Sequence, residues 1–507
     1  MKRSLHAHLR RSAAVLDFVN AERADAEVVW RGRTMGAWRN LSPSYILDPA
    51  KLRLSLRTQS GNLSFRVSTA RFTPRGAEVL LPEIFGRADR TITLVWKEGD
   101  SNSGAANAVR LQDALTRWLK CHWPGCLVLS ISHRSDRANT LSNSYLRVHV
   151  RARERNRLVL AASDISSSGR DYGAALSQAF IWAALLRARR RLPDTPQVHL
   201  VVPPEFSDLL LHRAGLVDPH KVDIKIWQIK SSLEEGIKIR HADAPAPPEE
   251  NRDFRWPVLG PFHWNPSLAR VLDLAPTHIK RYPRFQDYDS LRLWGLEFAR
   301  AQGEERDTIS FGVGSNTTEL SEGNFESLRA LVETILYYRR PDSPNQQHPF
   351  YRLQAERWLE SLILEDIPRL FPELIPESVY PQIPVYLGKD PGRVDILGAD
   401  KEGTLVILEL KIVPDPDLPL QALDYWGRVV RHSEDGDFRR RGYFSEVHLS
   451  GEPPHIYLVS PVFSFHNSTE QIVGYFDSRV EVWKIAINED WRSGVRILRR
   501  TRVRRGD

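Results

Sequence analysis

The sequence predicts an α/β protein that holds two tandem copies of one domain, each a mixed central sheet flanked by helices. Three observations lead there. The chain has 507 residues, too many for one ordinary core, and typical domain sizes imply two to four domains. Its two halves repeat one another in five segments that keep their order. Within each half, short runs of branched apolar residues alternate with segments of helical period.

The repeat is read from paired segments. "PQVHLVVPPEFS" from Pro196 resembles "PHIYLVSPVFSF" from Pro454, and "VDIKIWQI" from Val222 resembles "VEVWKIAI" from Val480, each pair 258 residues apart. Upstream, "RLQDALTRWL" from Arg110 resembles "RLQAERWLESL" from Arg352. "LRVHVRARERNRLVLAASDI" from Leu146 parallels "GRVDILGADKEGTLVILELKI" from Gly392, and "LSQAFIWAALL" from Leu176 parallels "LQALDYWGRVV" from Leu420.

In the second copy the periodicity predicts a helix over 353–370, a strand over 382–387 and a hairpin of strands 393–397 and 404–412. A helix over 419–431 and strands over 455–459 and 480–487 follow. The polar, Pro-rich stretch "HADAPAPPEENRD" reads as a linker over 241–253, and "RRPDSPNQQHPF" as a second break. The resulting plan is an N-terminal, mostly β region (1–100), a first copy (101–240), the linker, an intermediate α+β region (254–345) and a second copy with a basic tail (351–507).

Composition narrows the class of function. With 41% hydrophobic and 26% charged residues the chain is a folded one. The net charge is +8, and arginines cluster at 187–191, 439–441 and in the tail "RILRRTRVRRGD", which makes an anionic polymer the expected partner. Only two cysteines occur, Cys121 and Cys126, so no disulfide framework is implied and a cytoplasmic location is expected. Neither a membrane span nor a signal peptide is expected.

The candidate chemistry sits in the hairpin. Side chains two apart on a strand share a face, so Ile407, Glu409 and Lys411 line one side, and pairing back across the turn brings Asp395 to the same end of the sheet. Two convergent carboxylates with the backbone carbonyl of Leu410 suit a hard divalent cation, and the lysine is placed to act on a water. On the preceding helix, a 100° wheel puts Glu356 on the apolar stripe of Leu359, Ile363, Ile367 and Leu370, with Glu360 nearer its edge. Glu356 is therefore the first choice of helix acid and Glu360 the substitute.

These residues resemble the PD-(D/E)XK nuclease superfamily, particularly its RecB-type and NucS-type branches. The resemblance rests on Asp395 followed by "ELK" at 409–411, on Glu356, and on "QALDY" at 421–425, which matches the QxxxY pattern of the RecB-type branch. It covers about a quarter of the chain, and Val394 stands where the family name has Pro. The resemblance implies a restriction-endonuclease-like fold and a phosphodiesterase dependent on Mg2+ or Mn2+, with DNA as the expected substrate. Asp395, Glu409, Glu356 and the Leu410 carbonyl would hold the cation, Lys411 would act on the attacking water, and Gln421 and Tyr425 would face the site.

In the first copy, sequence alignment sets His149 opposite Asp395, Ala161 or Ala162 opposite Glu409, and Asp164 or a neighbour opposite Lys411. Gln178 matches Gln421, and Trp182 replaces Tyr425. Lacking paired carboxylates, this copy is expected to keep the fold without the activity. The alternative is a protein in which both copies are non-catalytic and bind nucleic acid or serve as a scaffold.

Overall fold

The computed structural model describes residues 26–30, 33–41, 43–48, 51–58, 61–73, 76–80, 91–95 and 103–503, together with 12, 13 and 16. Within the long segment, 137–138, 163–171, 190, 193–194, 233–235, 243–264, 285–287, 304–306, 315 and 388–389 are excepted. The expected linker thus lies almost wholly outside the described residues, as do Asp164 and the last four residues. The chain divides into two compact units, 1–107 with 312–318, and 108–311 with 319–507.

The smaller unit is mostly β up to residue 95, with a short 3-10 helix at Trp38–Leu41 among its described elements. A five-stranded antiparallel sheet and a three-stranded meander (Ser44–Asp48, Lys51–Thr58, Gly61–Val67) bury alternate residues such as Leu52, Leu54 and Leu56, or Ile92 and Leu94. That period of two is what a sheet with one apolar face requires.

The larger unit contains the repeat. The first copy runs α1 (Ser103–His122), β1 (Leu127–Ser132), β2 (Tyr145–Ala152), β3 (Arg155–Ala162), α2 (Ala175–Ala188), β4 (Gln197–Val202), α3 (Ser207–Gly215), β5 (Asp223–Ser232) and β6 (Gly236–His241). The second runs α4 (Ala355–Glu365), β7 (Leu374–Leu387), β8 (Asp390–Asp400), β9 (Leu405–Leu410), α5 (Leu418–Glu434), β10 (His455–Pro461), α6 (Thr469–Val473), β11 (Glu481–Ile487) and β12 (Ile497–Arg502). Each copy forms a six-stranded sheet in sequential strand order. In both, the successive pairings are antiparallel, antiparallel, parallel, parallel, antiparallel. The tandem of mixed α/β domains expected from the sequence is therefore present.

Strand pairing corrects the sequence alignment of the copies. Leu160 lies beside Leu200 in the first sheet, and Glu409 beside Leu458 in the second, while Leu200 and Leu458 are the repeat partners. Leu160 is thus the counterpart of Glu409, and Ala162 that of Lys411. Arg147 pairs with Leu160, and the register Ile396↔Leu408 continues to set Asp395 across from Glu409. Arg147, and not His149, stands where Asp395 does. Sequence alone missed this because a slip of one or two residues among branched apolar positions changes no pattern.

Two boundaries also shift. The helix expected over 353–370 is broken at Asp366, with Pro368 inside the short turn that follows. The basic tail "ILRRTR" is the edge strand β12, where Arg500 pairs with Glu373 and Arg502 with Glu481, so these cations already have carboxylate partners.

The copies pack on each other about an approximate two-fold relation. Helix α2 lies on α6 and helix α5 on α3, and one apolar cluster takes in Leu176, Phe180 and Leu200 of the first copy with Trp426, Ile407 and Leu458 of the second. Asp218 N–H donates to Tyr475 O at 2.9 Å, and Asp477 N–H to Leu216 O at 3.1 Å. Where α5 crosses α3, a Cβ on Gly427 would lie 2.7 Å from Leu216 Cδ1 and 3.0 Å from the His212 ring, so a larger residue would require those side chains to shift.

The intermediate region contributes an antiparallel meander of Ile279–Arg284, Tyr288–Leu293, Leu296–Gln302 and Thr308–Val313. Its turn at Trp294 and Gly295 abuts α4 so closely that a Cβ on Gly295, at φ +75°, would collide with Arg357 O. The buried Arg339 locks the joint by donating to the carbonyls of Trp294, Phe350, Leu353 and Gln354.

Candidate active site

The site lies at one end of the second sheet, between α4 and α5. Strands β8 and β9 carry an apolar face of Ile396, Val406, Leu408 and Leu410 against Trp358, Leu359 and Ile363 of α4. The other face packs Leu397, Leu405 and Ile407 with Leu423 and Trp426 of α5. This two-sided burial fixes the strands and sets Asp395, Glu409 and Lys411 where the pairing of β8 with β9 ends, after Ile396↔Leu408.

Asp395 is held on three sides. Leu410 N–H donates to Oδ2 at 3.0 Å, Gln382 Nε2 to Oδ1 at 3.2 Å and Arg357 Nη1 to Oδ1 at 3.4 Å. Burial still pushes its pKa up to about 6, with the Glu360 charge adding to the rise and Arg357 opposing it. Glu409 is 2% exposed and its Oε2 has no hydrogen-bond partner. Burial first, and then the neighbouring Asp395 charge, hold its pKa well above the ordinary carboxylate range.

Lys411 sits 3.9 Å from Glu356 Oε1 and 4.0 Å from Asp415 Oδ2. Burial works against its charge, yet Glu356, Glu409 and Asp415 together raise its pKa, so the ammonium stays protonated. Glu356 is half-buried, and burial raises its pKa while Lys411 draws it back. The wheel reading placed Glu356 on the core side, whereas Glu360 is the fully buried acid of α4, at 2% exposure. Glu360 is engaged by Arg357 at 2.6 Å, Gln382 at 2.5 Å and Arg292 at 3.7 Å. Glu356 is the acid that faces Lys411.

On α5, Gln421 Nε2 donates to the Tyr425 hydroxyl at 3.2 Å. Tyr425 has its pKa pushed up to about 12, by burial and then by the charge of Glu409, which places its hydroxyl within the field of the carboxylates. The structure therefore brings Asp395, Glu409, Lys411, Glu356, Gln421 and Tyr425 into one neighbourhood.

Four residues here escaped the sequence reading: Arg357, Gln382, Arg292 and Asp415. Gln382 has φ 60° within β7, an unusual backbone for a non-glycine residue, and it turns its amide onto Glu360 and Asp395. Asp415, four residues after Lys411, had a sequence signal in its acidic Pro-Asp-Pro-Asp turn. Arg292 comes from the intermediate meander, and nothing in the hairpin's sequence points to it.

The donor set can be tested against a divalent cation. Asp395 and Glu409 are adjacent, carboxylate-only and destabilised in their charged forms, and one Glu409 oxygen is unpartnered. Those features fit a hard cation held by two carboxylates, with the Leu410 carbonyl as the nearest backbone oxygen. Among the described residues, no set of three His, Cys, Asp or Glu side chains is gathered as a metal cluster. Glu356, 3.9 Å from Lys411 and close enough for its charge to act on Glu409, stays a candidate for the cation or for the water.

No protein-family model matches the chain, and no curated protein does. Among solved structures, EndoMS in complex with double-stranded DNA matches at 22% identity, covering 24% of this chain and 39% of that one, with a TM-score of 0.16. A repair endonuclease from Pyrococcus abyssi matches at 26% identity over 26% of this chain and 46% of its own, also with a TM-score of 0.16. SfsA from Pyrococcus furiosus in complex with Ca2+ matches at 13% identity over 40% of this chain and 94% of its own, with a TM-score of 0.19. The chain thus spans less than half the length of the first two. At these TM-scores the reading of the site rests on its own residues. No helix among the described residues is long and apolar enough to cross a membrane.

Proposed function

We propose that the second copy is a phosphodiesterase dependent on Mg2+ or Mn2+ that acts on nucleic acid, with DNA as its substrate, in repair, recombination or defence against foreign DNA. The observation that carries this reading is the pair of carboxyls Asp395 and Glu409, each with its pKa raised by burial and Glu409 raised further by the Asp395 charge, at the point where the β8–β9 register runs on past Ile396↔Leu408 beside Lys411. Two such acids have no structural purpose that an apolar pair would not serve better.

When bound, a divalent cation supplies charge neutralisation and polarisation at the scissile phosphate. Asp395 and Glu409 would hold it, and the hydrogen bonds from Leu410 N–H and Gln382 keep the Asp395 carboxylate oriented. Lys411, protonated, donates to the attacking water or to a phosphate oxygen and stabilises charge that develops there. Glu356, next to Lys411 and with a raised pKa, is the group placed to accept a proton from that water. The surplus of arginine accounts for phosphate attraction and implies strongly salt-dependent binding.

The test is incubation of the purified protein with labelled single-stranded, duplex and branched DNA, and with RNA, in Mg2+ or Mn2+. Cleavage by the wild type and about 10³-fold less by Asp395→Ala is expected. Equal cleavage by both, or none by either, overturns the proposal. One observation favours the non-catalytic alternative, namely that, among the described residues, no third metal-ligating side chain is gathered with the pair. That reading expects nucleic-acid binding without cleavage, unchanged by Lys411→Ala.

A further inference from the structure

The turn that leads from Lys411 into α5, "IVPDPD" at 412–417, is tied to the first copy. Asp417 stands at the N-cap of α5, where an aspartate ordinarily accepts a hydrogen bond from its own helix. Its carboxylate makes no such bond. It meets the first copy instead. Ser177 Oγ of α2 lies 2.8 Å from Oδ1, and Arg213 Nη1 of α3 donates to Oδ2 at 3.1 Å and lies 3.4 Å from Oδ1.

Both partners are held firmly within the first copy. Ser177 is fully buried, and Arg213 is 5% exposed. The same Nη1 donates to Gly173 O at 3.1 Å, just ahead of α2. Arg213 Nε is buried without a partner, so this contact is kept at a cost to folding. At the spacing of 258 residues that relates the copies, the exposed Gln471 stands where the first copy has Arg213, and the match of Leu176 with Leu420 sets Gly173 opposite Asp417. Among the described residues a charged pair thus crosses here from the first copy to the second, and its mirror image is a glutamine and a glycine.

The path onward to the site is short. Asp417 N–H donates to Asp415 Oδ1 at 2.8 Å, and Asp415 Oδ2 lies 4.0 Å from Lys411 Nζ. Gln421 N–H donates to Asp417 O at 2.9 Å, so the same residue opens the helix that carries Gln421 and Tyr425.

We infer that Arg213 and Ser177 of the first copy are positioning residues for the second copy's site: they anchor Asp417, which sets Asp415 against Lys411 and fixes the start of α5. The inference rests on the phosphodiesterase reading and gives the copy without acids a part in the reaction. Pro414 and Pro416 restrict the turn's own dihedrals but do not fix where it lies. The buried guanidinium supplies that fixed point. A shift of about 1 Å at a reacting group can cost about 100-fold in rate, so an anchor two contacts away from Lys411 matters to the chemistry.

The test measures kcat and KM on one labelled DNA substrate in Mg2+ for full-length wild type, Arg213→Met, Arg213→Lys and Phe180→Leu, each well below its unfolding transition. Phe180 stacks on Tyr475 at 4.2 Å in the same packing of copy on copy, so Phe180→Leu loosens that packing and leaves the bonds to Asp417 in place. Arg213→Met should lower kcat by about 10- to 100-fold, the range of a misplaced group. KM should stay within about twofold, because substrate binding is not what the anchor serves. Arg213→Lys should recover most of the fall, since one nitrogen makes all the contacts to Asp417 and an ammonium can stand in for it. Phe180→Leu should keep wild-type kcat. Wild-type kcat in Arg213→Met, or an equal fall in Phe180→Leu, overturns the inference. Hydrogen exchange in EDTA reads the same anchor without catalysis: amides between Ile412 and Gln421 should exchange faster in Arg213→Met and not in Phe180→Leu. If the wild type cleaves nothing, that exchange result keeps the anchor while the phosphodiesterase reading falls, and equal exchange in wild type and Arg213→Met removes both.

Discussion

The two copies share one sheet plan but place different chemistry at the same three points. Where the second has Asp395, Glu409 and Lys411, the first has Arg147, Leu160 and Ala162. Arg147 is buried and donates to the carbonyls of Ser142 and Arg134, and Gln178 bonds Ser142 N and Thr140 O, so the first copy uses this end of the sheet to tie down its own 134–142 loop. The second copy leaves a carboxylate oxygen unpartnered at the equivalent place. The fold is thus stable without acids there, and their presence in one copy calls for a cause outside folding.

The sharpest way to break this contrast is to exchange function between the copies. Lys411→Ala and Asp395→Asn should each lower cleavage by about 10³-fold while salt-dependent DNA binding persists, measured by single-turnover assays and anisotropy. Arg147→Met in the first copy leaves the second copy's site untouched and should keep the cleavage rate of the folded protein within about twofold of wild type, while the lost hydrogen bonds to the Ser142 and Arg134 carbonyls lower stability by about 1–3 kcal/mol. A comparable loss in Arg147→Met would place function in both copies and end the distinction.

Acid titration separates the copies next. Asp395 titrates at about 6 in the folded protein against an ordinary value of 3.8. The folded state therefore holds this proton more tightly than the unfolded chain. The corresponding stability is fully present below about pH 4 and lost as pH rises through about 6. In EDTA, Asp395 alone should contribute roughly 2–3 kcal/mol of this decline, and Glu409 works in the same direction. Urea midpoints between pH 4 and 8 should show a shallower slope for Asp395→Asn. The first copy has no carboxylate at this point, and an unchanged slope would mean that the acids are solvated.

A smaller effect concerns the buried acid itself. Glu409→Leu installs the residue that the first copy already carries, removes an unpartnered buried oxygen, and should raise stability by about 1–2 kcal/mol in EDTA while abolishing cleavage. Thermal unfolding would read the gain. A loss of stability would show that the Glu409 carboxylate is a structural group.

Much of this contrast is legible in the amino-acid sequence. The period-two runs in "GRVDILGADKEGTLVILELKI" define the hairpin, and acids among branched apolar residues stand out because burial makes them costly. The repeat is legible as well, since both sheets bury the same apolar positions. The register between copies is not, because Val148, Val150, Leu160 and Ala162 satisfy the pattern under a slip of either sign. The surroundings of Asp395 are also hidden: Gln382 reaches it through a positive φ, Arg357 through a helix crossing, and Arg292 through contact with Glu360 from a separate meander. Burial on α4 is misjudged for a related reason. A wheel assumes one buried face, but the meander covers α4 from another direction and encloses Glu360.

The finest comparison is between Tyr425 and its counterpart Trp182. Both face the sheet from the helix after β9 or β3, yet only Tyr425 carries a hydroxyl, which accepts from Gln421 and lies in the field of Glu409. With its pKa pushed up to about 12, that hydroxyl remains a proton donor throughout the working range. Its own proton is free to point toward a phosphate oxygen or a carboxylate at the site. Tyr425→Phe removes only this donor and leaves the ring packing intact, so stability should change by no more than about 1 kcal/mol and single-turnover cleavage should fall by roughly 3- to 10-fold, the range of one neutral hydrogen bond. Tyr425→Trp, which copies the first domain, should lose the same donor and also crowd α5 against β8, where Gly392 already lies close to the Tyr425 ring. A Tyr425→Phe enzyme with wild-type rate would assign Tyr425 the packing role that Trp182 has.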